Sequence, residues 1–136
     1  MNPLPGTVRY DSLSSFDVKD EMQAHRLGVR VVAFDLDGTL AEEHPDLTLG
    51  EPIRPMTDKL IAEHKAGSYT VIYTTRLNLR LWSKQEVKLH HHLIFQWLCK
   101  HGLVDYVTLL VGDKPYADEY WDNRARNPKE LEPTPP

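Results

Sequence analysis

Three short apolar runs, rich in β-branched and aromatic residues, recur along the chain at "VRVVAFD" (29–35), "YTVIYT" (69–74) and "DYVTLLV" (105–111). Each is apolar on both faces, the pattern of a central strand covered by helices from both sides. The stretches between them read as helices. In "RPMTDKLIAEHKAG" (54–67), Pro55 suits a helix start, Leu60, Ile61 and His64 share one face, and Gly67 suits a C-terminal stop. Further on, Ser83 and Glu86 have capping-box spacing, with Trp82 and Val87 spaced as a hydrophobic staple across it. That spacing predicts a helix over 84–101, ended by Gly102. Strands alternating with helices imply an α/β fold: one Rossmann-like domain with a mostly parallel sheet, right-handed crossovers and flanking helices. By its length of 136 residues the chain is expected to form one such domain, without a second.

The core is expected to span 29–126. Residues 1–28 are polar with scattered apolar positions, which leaves open an extended arm, a short helix around 17–26, or a flap. The tail 127–136, "NPKELEPTPP", is proline-rich and expected to be disordered. With 40% hydrophobic residues, 26% charged residues and a net charge of −4, no overall charge argues for nucleic acid. No apolar run approaches the roughly 20 residues of a membrane span. The N-terminus lacks a basic region followed by an apolar one, so a cytoplasmic location is expected. The lone Cys99 cannot form an internal disulfide and reads as a small, buried or half-buried hydrophobe in a helix.

In parallel sheets, ligands bind beyond the carboxyl ends of the strands. Here those ends are "FDLD", "YTTR" and "VGDKP", followed by a fourth short strand at "EYWDN". Together they offer paired carboxylates (Asp35, Asp37), hydroxyls (Thr74, Thr75), a cation (Lys114) and a further carboxylate (Asp122). Two carboxylates this close repel, so they need a cation or a shared proton. The set suits phosphoryl transfer. A carboxylate can attack phosphorus if other groups, such as Mg²⁺ held by one or two carboxylates, neutralise the phosphoryl oxygens. A second carboxylate, at Asp37, can protonate the leaving oxygen and then activate water.

These residues resemble the haloacid dehalogenase (HAD) superfamily of phosphatases. "DLDGT" (35–39) matches its first motif, DxDG[TV]. The resemblance implies that Asp35 is the nucleophile and Asp37 the acid/base, with the Asp37 carbonyl also on Mg²⁺. The second motif falls on Thr74, with Arg76 in a T-x-R form; Thr74 then binds the phosphoryl group, and Gly38, Thr75 and Arg76 are expected to contact substrate. "KPYADEYWDNRA" (114–125) is similar to a K-P-x-A-D-x-x-x-D-D-R-A pattern, which implies Lys114 as the phosphoryl-stabilising cation and Asp122 as a Mg²⁺ ligand. One position departs: Asn123 stands where the pattern has a second aspartate, so a metal would be held with less charge. A competing registration, G-D-x-x-x-x-D over "GDKPYAD", would use Asp113, Asp118 and Lys100 instead; it is disfavoured because Lys100 falls inside a predicted helix.

His90, His91 and His92 do not read as a metal site, because successive helical residues point about 100° apart. His90 reads as a partnered, partly buried histidine on the apolar face. Five basic residues (Arg76, Arg80, Lys84, Lys88, Lys100) accompany one acid, Glu86, over 76–101; solvated charge is favoured over a nucleic-acid partner. Many HAD phosphatases carry a cap domain, for which this chain has no room. The site is therefore expected to be open, or covered by "AEEHPDLTLGEPIR" (41–54), by the N-terminal arm, or by a second subunit in a homo-oligomer, and to admit large phosphorylated substrates. The expected activity is Mg²⁺-dependent phosphomonoester hydrolysis through an aspartyl-phosphate. A phosphatase for nucleic-acid ends, and a HAD-fold binding protein with little turnover, stand as alternatives.

Overall fold

A computed structural model describes residues 9–11 and 20–122. The fold is α/β. Four parallel strands form the sheet: β2 (Val31–Asp35), β5 (Tyr69–Tyr73), β6 (Leu109–Val111) and β7 (Glu119–Trp121). A short strand β1 (Arg9–Asp11) pairs antiparallel with β6 at one edge, giving the order β1-β6-β5-β2-β7. The segment 1–28 thus contributes an edge strand as well as a short helix, α1 (Glu21–Arg26).

The apolar runs form central strands because alternate residues bury on opposite faces. Val32, Phe34, Ile72 and Leu110 face one cluster, while Val31, Ala33, Val71 and Val111 face the other. The first cluster is closed by two helices, α2 (Arg54–Lys65) and α3 (Lys84–Lys100), through Leu60, Ile94 and Leu98. Pro55 sits in the first turn of α2 as expected, and Ser83 and Glu86 form the complete capping box of α3. On the second face, Ala24 of α1 and Ala117 close the cluster.

Two expectations change in detail. The run 105–111 is a strand only from Leu109, because Val104–Tyr106 turn as a 3₁₀ segment. Residues 41–54 are no plain loop: β3 (Ala41–Glu43) and β4 (Leu49–Pro52) pair antiparallel as a hairpin with an irregular register. This hairpin is the sole insertion between β2 and α2, so no cap domain occupies that position. It rests on α3 through Trp97, whose indole N–H donates to the Gly50 carbonyl (2.8 Å).

After β6 the chain crosses the second face back to the start of β2. Gly112 makes the exit: a Cβ there would lie 2.3 Å from the Leu77 carbonyl oxygen. At the far end Asp118 accepts from the Val31 amide through its side chain (2.8 Å), and its own amide donates to the Val31 carbonyl (2.8 Å). Residues 123–136, including Asn123 and the proline-rich tail, lie outside the described residues. None of the described helices is long and apolar enough to cross a membrane.

Candidate active site

The chain goes from β2 to β5 on one side and returns to β7 on the other. The carboxyl end of β2 is therefore the topological switch point, where loops leave in opposite directions and open a crevice. "DLDGT" occupies that place. Asp35 ends β2 opposite Tyr73, and its Oδ1 accepts from the Leu36 amide (2.9 Å). The Leu36 carbonyl accepts from the amides of Thr39, Leu40 and Ala41, closing a tight turn that the buried Leu36 and Leu40 anchor. Gly38 has φ +81°, which a residue with a Cβ adopts only under strain. Its amide donates to the Ala41 carbonyl (2.7 Å), so Gly38 serves the turn itself.

The turn separates the two aspartates. Asp37 is clamped by Arg76, whose Nε donates to Oδ2 (2.7 Å) and whose second terminal nitrogen donates to Oδ1 (2.8 Å). The remaining terminal nitrogen donates to the Leu47 carbonyl in the β3–β4 turn (2.6 Å). Arg76 is 7% exposed. Its main chain is held as firmly: the amide donates to Thr74 Oγ1 (3.2 Å), and His90 Nδ1 lies 2.7 Å from its carbonyl. His90 is half-buried and packs edge-on to Trp82, the partnered role expected of it.

Asp35, Asp37, Thr74, Thr75 and Arg76 line one cleft of about 140 Å³, together with Glu43, His44, Leu47 and Trp82. None of these four was singled out as a site residue, although Glu43, His44 and Leu47 lie in the 41–54 segment named as one possible cover. Three belong to the hairpin, and its turn is built by Asp46, which accepts from the amide (3.1 Å) and hydroxyl (2.6 Å) of Thr48. "HPDLT" carries that turn signal in its Pro-Asp pair.

Asp122 follows the last register pair of β7 with β2, Trp121 opposite Phe34, which places it one strand away from Asp35, about 4.8 Å in backbone spacing. The hydroxyl of Tyr73, buried on β5, donates to Asp122 Oδ2 (2.8 Å). Burial, then the bond to Asp122 and the charges of Asp122 and Asp35, push the Tyr73 phenol far above its ordinary range, so it stays a donor. Lys114 is exposed with its ammonium 4.6 Å from the Tyr120 ring centre, and is not among the residues lining the cleft.

The two registrations differ in where their residues lie. Asp118 binds Val31, four residues from Asp35 and at the opposite end of β2, roughly 13 Å away at strand rise. Its carboxyl lies below the usual range because it accepts from the Val31 amide and, less strongly, from the Tyr116 hydroxyl. Asp113 accepts from Asn78 (2.9 Å) and pairs with Arg80 (3.3 Å). Lys100 is exposed on α3, as is Cys99, where a buried or half-buried thiol was expected.

Among the described residues, no group of three or more His, Cys, Asp or Glu side chains is placed to hold a metal ion. Mg²⁺ asks for less: one or two carboxylates, with waters and substrate phosphate completing its shell. Asp35 and Asp122, on adjacent strand ends, are the carboxylates that could hold it, each also accepting a bond within the protein; Arg76 engages only the side-chain oxygens of Asp37, which leaves the expectation for its backbone carbonyl untouched. No protein-family model, curated protein or solved structure matches the chain.

Proposed function

We propose that this chain is a Mg²⁺-dependent phosphomonoester hydrolase of the HAD type, acting through an aspartyl-phosphate on Asp35. One observation carries the reading: Asp35, the Asp37–Arg76 pair and Thr74 meet in a single cleft at the switch point of a parallel sheet. Asp35 attacks phosphorus, the bond from phosphorus to the leaving oxygen breaks, and the leaving alcohol takes a proton from Asp37. Water, losing a proton to Asp37, then attacks phosphorus and frees phosphate and the Asp35 carboxylate. Thr74 positions the phosphoryl group. Mg²⁺, held by Asp35 and Asp122, would supply charge neutralisation at the phosphoryl oxygens. Because Arg76 engages both oxygens of Asp37, Asp37 carries a proton in this scheme only when one of those bonds is released.

The test is phosphate release from an aryl phosphate with Mg²⁺ or EDTA, for wild type, Asp35→Asn and Asp37→Asn. Metal-dependent turnover lost in both variants is expected; turnover surviving in Asp35→Asn refutes the nucleophile. A second reading, a phosphate-binding protein with little turnover, draws on the same clamp and on Asn123. Mg²⁺ affinity and turnover of wild type and Asn123→Asp separate the two, because a metal site crippled by Asn123 should recover both in the variant, whereas a working hydrolase shows metal-dependent turnover without it.

A further inference from the structure

A second cavity of about 160 Å³ adjoins the cleft and shares Leu47 and Arg76 with it. It lies between the hairpin and α3, walled by Leu49, Leu93, Ile94 and Trp97, with His90 and Thr48 at its sides. The polar groups of this wall are already engaged within the protein. The Trp97 indole donates to Gly50, His90 Nδ1 meets the Arg76 carbonyl, the Thr48 hydroxyl donates to Asp46, and the Arg76 fork holds Asp37 and Leu47. What the cavity offers a guest is carbon surface. Its volume is close to the roughly 150 Å³ of an apolar cavity that takes one benzene ring. At the junction of the two spaces, Leu47 holds φ +67°, a conformation strained for a residue with a γ-branched side chain. Its carbonyl is tied to Arg76 and its side chain is exposed, so local strain is kept where the polar and apolar compartments meet.

We infer that the substrate is an amphiphilic phosphate monoester whose leaving group carries one apolar ring, seated in the Leu49–Leu93–Ile94–Trp97 cavity while the phosphate occupies the cleft. This rests on the hydrolase reading and adds the substrate class to it. The two cavities lie on either side of a common wall, Arg76 bonded to the Leu47 carbonyl, and that adjacency is what ties the ring site to the phosphate site.

The experiment compares kcat/KM for benzyl phosphate and methyl phosphate, whose alcohols are similarly poor leaving groups. In parallel, the Leu and Ile methyl NMR signals are titrated with benzylphosphonate and methylphosphonate. Burial of one ring should favour benzyl phosphate about tenfold to a hundredfold, with the Leu49, Leu93 and Ile94 methyls responding to benzylphosphonate alone. Leu93→Trp, made at a position 42% exposed where a larger side chain fits, should bring the benzyl-to-methyl ratio toward one. Turnover of both esters at equal efficiency without a methyl response overturns the ring site and leaves the hydrolase standing. A methyl response without turnover of either ester supports the ring site and removes the hydrolase. Methyl signals that move with protein concentration instead of ligand assign the cavity to a second copy of the chain and overturn the inference.

Discussion

Replacing Arg76 with leucine should destabilise the fold by about 3 kcal/mol. The guanidinium makes two bonds to Asp37 and one to the Leu47 carbonyl while only 7% exposed. Removing one partner of a buried ion pair leaves the other charge uncompensated, at a cost of about 3–5 kcal/mol. The Asp37 side chain keeps 22% exposure, so water reaches it and the lower end applies. Urea unfolding followed by tryptophan fluorescence would read this. With a slope of about 2 kcal/mol/M, the midpoint falls by about 1.5 M. Arg76→Lys keeps the charge and loses the fork, so about half the cost is expected. Asp37→Asn and the double variant complete a cycle, whose coupling should be about 2 kcal/mol. A coupling below about 0.5 kcal/mol would mean that the two side chains do not meet in solution, and the account of the cleft would fall with it.

Gly112→Ala should cost more than about 2 kcal/mol, since its Cβ would meet the Leu77 carbonyl at 2.3 Å and main chain must move; Gly67→Ala, which meets nothing within 4 Å, should cost only about 1 kcal/mol for its positive φ. Denaturant midpoints of the pair check the order. Asp118 has a carboxyl lowered below 3.8 in the fold. Its contribution is therefore complete above the unfolded value and is lost as pH falls through the folded one. Stability measured from pH 5 to pH 2 should decline less steeply in Asp118→Asn than in wild type, and an unchanged decline would show that the Val31–Asp118 bond does not lower this group.

Three of the parallel strands, β2, β5 and β6, were legible because their residues are apolar on both faces, and α3 because Ser83 and Glu86 spell out its cap. The hairpin was not: "AEE" and "LGEP" lack the β-branched residues that mark strands, and their pairing relies on Gly50, where a Cβ would strike the Glu42 carbonyl. With the hairpin unread, Glu43, His44 and Leu47 could not be assigned to the cleft. "VGDKPYAD" carries two overlapping registrations that spacing cannot separate. The fold distinguishes their positions through a contact 87 residues apart, Asp118 on the Val31 amide. Lys114 shows a related limit, for a sequence position after a strand end does not say where a long, exposed side chain points.

Two carboxylates one residue apart at the end of a core strand pose an electrostatic problem that the turn solves by dividing them. The tight bend after Leu36, with Gly38 at φ +81°, sends Asp37 to the Arg76 side while Asp35 remains in strand register beside Tyr73. Asp37 then has a full cation at 2.7 Å. Asp35 instead bonds the Leu36 amide and shares its surroundings with the Tyr73 phenol and with Asp122. Asp35 is thus the aspartate that has a second carboxylate, Asp122, on the neighbouring strand end. The division gives the same turn two unlike halves, one carboxylate bound to the Arg76 guanidinium and the other beside the Tyr73 phenol and Asp122.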